Sequence, residues 1–319
     1  ATLRVRPAAV DGEPPLVEVL PAGAVAFVNQ ARTVASGRTR IEARRASYDA
    51  PLALTGQIQR GTAGVWRAVP VPDPAFFTAS VLAEILAGRG IAVEGGIRSI
   101  NDPAESPVTA RKVFAPALEE DRPALYVLAV HHSPPLFEIL QVINKRSHNL
   151  YADAVLRTVG RVATGRGTVA GGQAAIAALL VEESPGSGTL VMDDGSGLSI
   201  RNRATPRSFV ELLAFMERSP FRDHFLATLP EAAVDRGLRR MHQTAAAGNL
   251  RAKTGTIDRV SSLSGYVRAK NGELLAFSII SNDIPSTWKA KRIEDRIGAR
   301  LASFDRPAPS LDSCQVPAP

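Results

Sequence analysis

The chain has 319 residues, enough for one large domain or two ordinary ones, and its 45% hydrophobic and 22% charged residues are in the range of soluble globular proteins. Lys plus Arg total 38 against 31 Asp plus Glu, a net charge of +7, but only six of the basic residues are Lys and no basic run is interleaved with aromatics. That pattern reads as compositional bias rather than a nucleic-acid surface, and no stretch is apolar for long enough to span a bilayer. The single Cys314 lies in a Pro-rich tail with no neighbours for a disulfide or a metal site.

Residue 1 is Ala, and a strand is expected almost at once, over Thr2–Arg6. A chain that opens inside an element reads as processed, excised or truncated. Short β-prone runs follow at Leu16–Leu20, Val25–Val28, Thr39–Ala43 and Val65–Val69, separated by Gly, Pro and Asp turn signals. A helix is expected from Pro74 to about Ala87, with Asp73 as N-cap and Gly88 as stop. The polar stretch Asn101–Arg111 marks a domain boundary, so residues 1–112 form a β-rich domain and 113–304 a second domain.

In the second domain Leu125–Val130 reads as a strand. Ser133-Pro134-Pro135 opens a helix to about Lys145, with Ser133 as N-cap. A further helix runs from about Leu150 to Val159 and stops at Gly160, and another spans Val169–Glu183. Thr205-Pro206 opens a helix with Phe209, Leu212, Leu213 and Met216 on one face. Val260–Val267 and Leu274–Ser281 read as a hairpin about Lys270-Asn271-Gly272. An amphipathic helix covers Thr287–Ala302, and residues 305–319 read as a disordered tail.

Three stretches carry chemistry. Lys253-Thr254-Gly255-Thr256 opens a strand: the Lys and the hydroxyls suit a carboxylate, the Gly admits a substrate backbone, and the Thr256 N–H suits a developing oxyanion. Ser147-His148-Asn149 interrupts two helices, where a hydroxyl can pass a proton and an amide can bind a peptide group. Ser147 reads equally well as a helix N-cap, and Ser99-Ile100-Asn101 repeats the pattern as a plain turn. Asp194-Gly195-Ser196-Gly197-Leu198-Ser199 reads as a tight structural loop, since it misses the spacing and context of a nucleophile elbow. The histidines form no zinc-peptidase pattern. A Ser-His-Asp triad remains open, because its members need not be neighbours.

Taken in order, Ile143–Ala152, Asp194–Pro206 and Arg251–Tyr266 resemble the class C low-molecular-mass penicillin-binding proteins, over about Leu3–Leu301. The resemblance implies an α+β fold: a penicillin-binding/serine β-lactamase-like transpeptidase domain, an antiparallel sheet flanked by helices, with an inserted β-rich domain. It implies a serine-type D-Ala-D-Ala carboxypeptidase or endopeptidase working through an acyl-serine, without cofactor or metal, in the periplasm or otherwise outside the cytoplasm. Peptidoglycan stem peptides and β-lactams are the implied ligands. Ser147 and Lys253 then fall in the catalytic positions, and Asn149, Thr254, Gly255 and Thr256 in the substrate-binding ones. Lys145, Asp194 and Ser196 would stand behind them.

The family's nucleophile sits in Ser-x-x-Lys ahead of Ser-x-Asn, and no such motif precedes Ser147. Ser286-Thr287-Trp288-Lys289 follows Lys253 instead and reads as the entry to the last helix. The expectation is therefore a transpeptidase domain without its nucleophile segment, inactive by itself and prone to aggregate unless that segment joins it as a separate chain. Two smaller departures are Asp153, where the family has Glu, and Leu229–Ala233, where Gly is common. The alternatives are a non-catalytic peptidoglycan-binding homologue, a penicillin-hydrolysing enzyme on the same scaffold, and a hydrolase using Ser196.

Overall fold

The computed structural model describes residues 1–47, 50–100, 105, 129–183 and 190–306. The chain divides into two compact units, residues 1–130 and 131–319. The boundary expected near residue 112, residues 125–128 of the strand expected over Leu125–Val130, and all but the first two residues of the expected tail lie outside the described residues, and Ala129 and Val130 are not in a strand.

The first unit is built on strands β1 (Thr2–Arg6), β2 (Leu16–Leu20), β3 (Phe27–Asn29), β4 (Arg32–Val34), β5 (Arg40–Arg44), β6 (Leu52–Gln59) and β7 (Val65–Ala68), followed by helix α1 (Pro74–Ala87). One sheet has the order β2-β1-β7. The other has β3-β6-β4, with β5 antiparallel to β6. Alternation along these strands turns Leu3 and Val5, Ile41, and Leu52, Leu54 and Ile58 into one shared core with Val25 and Val69. Two strands escape sequence reasoning. β4 has three residues, too few to show a period, and β6 is interrupted by Gly56. The Asp73 cap of α1 is as expected, its carboxylate accepting from the Phe76 N–H at 2.9 Å.

The second unit contains α2 (Leu136–Arg146), α3 (Asn149–Thr164), α4 (Val169–Glu183), α5 (Pro206–Arg218), α6 (Arg222–Thr228), a 3₁₀ turn at Arg236–Leu238, β8 (Arg251–Ile257), β9 (Val260–Arg268), β10 (Leu274–Ser281) and α7 (Thr287–Ala302). The three strands form an antiparallel sheet in the order β10-β9-β8. Period-two alternation divides its side chains: Leu263, Val267, Leu275, Phe277 and Ile279 pack with Ala302 and Leu301 of α7, whereas Tyr266, Leu274 and Ala276 pack with Leu213 of α5. The sheet is thus flanked by helices on both faces. The buried Glu294 fixes α7 to β9 and to the preceding loop, accepting from the Ser261 hydroxyl and the Arg240 guanidinium, each at 2.6 Å.

Several expected boundaries are corrected. Ser133 does not cap α2, which starts after Pro135 with no side-chain cap. α3 does not stop at Gly160; it runs to Thr164 and ends at the left-handed Gly165. Gly160 is there for packing: a Cβ would stand 2.6 Å from the Thr168 carbonyl oxygen and 2.7 Å from the Gly172 amide nitrogen, where α4 crosses. The hairpin expected about Lys270-Asn271-Gly272 forms, with β9 running one residue further, to Arg268, and a five-residue connection in which only Gly272 is left-handed. Asp305 and Arg306 are not a free tail, since they pair with Lys270 and Glu273 on that loop. The short helix α6 was not anticipated.

Gly160→Ala should therefore lower stability by about 1–3 kcal/mol, because backbone rather than a yielding side chain blocks the methyl. A shift of the urea midpoint at unchanged slope would report it, and an unshifted midpoint would show that the α3–α4 contact yields.

Candidate functional site at the α2–α3 break and the β8 edge

Lys253 is the third residue of β8, and its ammonium donates to the Ser147 hydroxyl at 2.7 Å and to the Thr254 carbonyl at 2.6 Å. Two segments 106 residues apart thus meet in one hydrogen bond. The sheet register explains the direction of the lysine. Lys253 and Gly255 pair with Ser264 and Ser262, on the face opposite α7, whereas Ala252 and Thr254 pair with Gly265 and Leu263 and project toward the α7 core. Gly255 has an in-sheet reason to be glycine, because a Cβ would collide with the Ser262 hydroxyl. Burial lowers the Lys253 pKa below the ordinary lysine value.

Among the described residues, the outer side of β8 has backbone partners only at its beginning. Ala252 donates to the Pro230 carbonyl, and Ala232 donates to Leu250. Alternate N–H groups of a strand point the same way, so those of Thr254 and Thr256 also face outward. Neither has a backbone partner among the described residues. The site therefore presents an unpaired strand edge beside a lysine.

Ser147 ends α2 in the left-handed conformation, φ 52° and ψ 55°, and the next N–H, of His148, bonds back to the Ile143 carbonyl as in a Schellman cap. Ser147 is thus a C-terminal cap, and the alternative of an N-cap is corrected. The N-cap of α3 is His148, whose Nδ1 accepts from the Tyr151 N–H at 3.3 Å. A residue with a Cβ gives up about 1–2 kcal/mol in this conformation. Strain held at a polar residue in a cleft is a recognised companion of function. Asn149 opens α3, exposed, and its amide has no hydrogen bond among the described residues.

The remaining predicted residues occupy supporting places. Lys145 pairs with Asp235 at 3.1 Å, and Asn144 donates to Thr228 at 2.8 Å; together these fasten the end of α2. Burial raises the Asp235 pKa, but the Glu231 N–H and Lys145 outweigh it and hold the carboxyl below its ordinary value. Asp194 organises its loop: its carboxylate accepts from the Gly197 and Ser199 N–H groups, the Asn202 amide and the Ser196 hydroxyl. Those bonds also outweigh the burial that would raise its pKa. The Gly195 N–H donates to Asp153 of α3 at 2.8 Å, so this loop is tied to the helix that Asn149 opens. Ser196 has no histidine partner among the described residues. Ser286 caps α7 by accepting from the Lys289 N–H, so the single Ser-x-x-Lys serves a helix entry.

Sequence reasoning did not single out Asp235, Thr228, Ser262 or Ser264. The first two act through residues far apart in the chain, and the last two become visible only from the β8–β9 register. Ala233, in the segment where Gly was expected, has φ 65°, which accounts for that preference. Among the described residues no cluster of His, Cys, Asp and Glu is arranged to hold a metal, and no helix is long and apolar enough to cross a membrane.

A family model described as the D-Ala-D-Ala carboxypeptidase 3 (S13) family matches residues 1–304. The chain belongs to this family. A relative, the D-alanyl-D-alanine carboxypeptidase of Actinomadura sp. (strain R39), is 33% identical over 312 residues, covering 94% of this chain and 54% of that protein. The D-alanyl-D-alanine carboxypeptidase DacB of Haemophilus influenzae is 30% identical over 155 residues, covering 47% of this chain and 32% of that protein. The crystal structure of penicillin binding protein 4 (dacB) from Haemophilus influenzae, complexed with a β-lactam, matches with a TM-score of 0.73 at 20% identity, over 95% of this chain and 69% of that one. That likeness shows the α+β fold expected from the sequence. The chain spans about half the length of the Actinomadura relative.

Two outcomes are expected for the site. Ser147→Gly should be about 1 kcal/mol more stable than Ser147→Ala, because both lose the hydroxyl but only glycine relieves the left-handed backbone; equal melting temperatures would remove the strain. Lys253, with its folded pKa below its unfolded one, binds fewer protons folded than unfolded between those values, so stability should rise with pH through that window. Lys253→Met should abolish that rise in urea midpoints compared at about pH 8 and about pH 10.5.

Proposed function

We propose that the chain supplies the substrate-binding and proton-transfer side of a serine-type D-Ala-D-Ala carboxypeptidase or endopeptidase acting on peptidoglycan stem peptides. The observation that carries this reading is the 2.7 Å bond between Lys253 and Ser147 beside an open strand edge. A stem peptide ending in D-alanine would lie along β8, its backbone pairing with the outward Thr254 and Thr256 groups as an added strand does. The terminal carboxylate would meet the Lys253 ammonium, on the face of β8 opposite α7. The Thr256 N–H would stabilise the oxyanion, and the Asn149 amide would hold a peptide group of the substrate.

In this reading a nucleophilic serine bonds to the carbonyl carbon of the penultimate D-alanine and the C–N bond breaks. The terminal D-alanine leaves as an amine and receives its proton through the Ser147 hydroxyl. Water then hydrolyses the acyl-serine. The Lys253 ammonium, made more acidic by burial, orients Ser147 and favours proton flow through it. Ser147 is not the nucleophile, and Ser286 is committed to a helix cap. The attacking serine belongs to a Ser-x-x-Lys segment that these residues do not place ahead of Ser147, and which could join as a separate chain. β-Lactams, with a strained amide and a carboxylate, would occupy the same groove. Membership of the S13 family supports a place outside the cytoplasm, in the periplasm or its equivalent, where peptidoglycan is found.

Calorimetric titration with a blocked peptide ending in D-Ala-D-Ala tests the groove. The acid should bind at least about tenfold more tightly than its C-terminal amide, and Lys253→Met should erase the difference; equal binding of acid and amide would overturn the carboxylate site. Fluorescent penicillin on a denaturing gel tests the nucleophile. These 319 residues alone should give no stoichiometric, hydroxylamine-sensitive band, and such a band would place a working nucleophile within them.

A further inference from the structure

A second concavity lies within the β-rich unit and has no part in the Ser147–Lys253 site. β6 pairs with β3 as far as Leu54 and with β4 from Gln57 onward. Opposite the change, Gln30 and Ala31 interrupt the neighbouring line of strand. Beside this break is a cavity of about 520 Å³ whose lining crosses β6 to β5: Gln30, Arg32, Arg38, Arg40, Gly56 and Gln57. Gly56 has φ 102°, and a Cβ there would collide with the Arg40 carbonyl oxygen, so part of this lining has to be bare backbone.

Register sets the rest of the wall. Arg32, Gln57 and Arg40 are partners across β4, β6 and β5, and in-register neighbours project from one face of a sheet. The Gln57 amide donates to the Arg38 carbonyl at 3.2 Å, which holds the Arg38 loop at the rim. Charge here is unbalanced. Glu42, two residues along β5 from Arg40, divides its carboxylate between Arg40 at 2.6 Å and Arg44 at 2.9 Å. The guanidiniums of Arg32 and Arg38 have no hydrogen bond or ion pair among the described residues. Like charges gathered around one cavity repel and do nothing for folding, but two free planar forks beside two amides match an anion that also carries hydroxyls.

We propose that this cavity binds an anionic glycan. Arg32 and Arg38 pair with its phosphate or carboxylate oxygens, and the Gln30 and Gln57 amides meet its hydroxyls. The chain's net charge of +7 adds long-range attraction to such a polymer. The proposal stands apart from the peptidase reading, since its readout is binding and it uses no residue of the Ser147–Lys253 groove.

Isothermal titration of the full chain with a phosphorylated oligomannoside and with an oligogalacturonate tests it. A neutral malto-oligosaccharide and an oligodeoxynucleotide of matched charge serve as controls. At least one acidic chain should bind, and which one does separates phosphate from carboxylate recognition. Affinity should fall roughly tenfold in Arg32→Gln and in Arg38→Gln, further in the double variant, and should weaken with added salt. The charge-keeping pair Arg32→Lys with Arg38→Lys should bind with intermediate affinity, which guards against a fold defect in the glutamine variants. No binding of either acidic chain, equal affinity in the double glutamine variant, or equally tight binding of the nucleotide or the neutral sugar would each overturn the proposal.

Discussion

The site rests on one hydrogen bond, from the Lys253 ammonium to the Ser147 hydroxyl, and much of the second unit can be understood as holding its two ends in place. Lysine side chains are long and entropically expensive to fix. This one is fixed because its strand is locked into the sheet by β9 and by the Pro230–Ala232 segment, and because it is desolvated where it meets the serine. The serine is fixed because α2 ends in a left-handed cap, tied down one turn earlier through Asn144 and Lys145 to Thr228 and Asp235. Neither end is held by a flexible loop.

The strand edge and the helix break also divide the chemistry. β8 offers repeating backbone donors and acceptors, which suit a peptide of any side chain, while the lysine offers the charge that distinguishes a free C-terminus. The α3 side offers Asn149 with an uncommitted amide, and the Asp194 loop is secured to the same helix through Asp153. An aspartate, one methylene shorter than a glutamate, performs that last task, and Gly195 packs closely against the helix, where a Cβ would stand only 2.8 Å from the Ala152 carbonyl oxygen. A close-packed glycine and a shorter carboxylate thus fit one geometry.

Arginine does different work in the two units. In the second unit Arg240 and Arg251 are consumed by internal pairing, with Glu294 and Glu231, and serve to fasten α7 and the segment before β8. In the β-rich unit Arg40 and Arg44 share Glu42, whereas Arg32 and Arg38, beside a polar cavity, have no partner among the described residues. The same compositional bias that looked uninformative in the sequence therefore separates into structural and unspent charge once partners are known.

By itself the sequence determined the elements with strong local signals: the capped helices at Asp73, Thr205 and Ser286, the long strands β9 and β10, and the Lys-Thr-Gly and Ser-x-Asn motifs whose order pointed to the family. These are short-range properties, written in capping side chains and in periods of two and 3.6. Tertiary structure alone decided the rest. It carried α3 past Gly160, because the glycine answers to the crossing of α4 rather than to its own helix. It made Ser147 a left-handed cap, because that depends on how α2 is anchored. It brought Lys253 to Ser147, and Arg32 into line with Arg40, because register between strands and contact across 106 residues are set by packing and not by any local run of the chain.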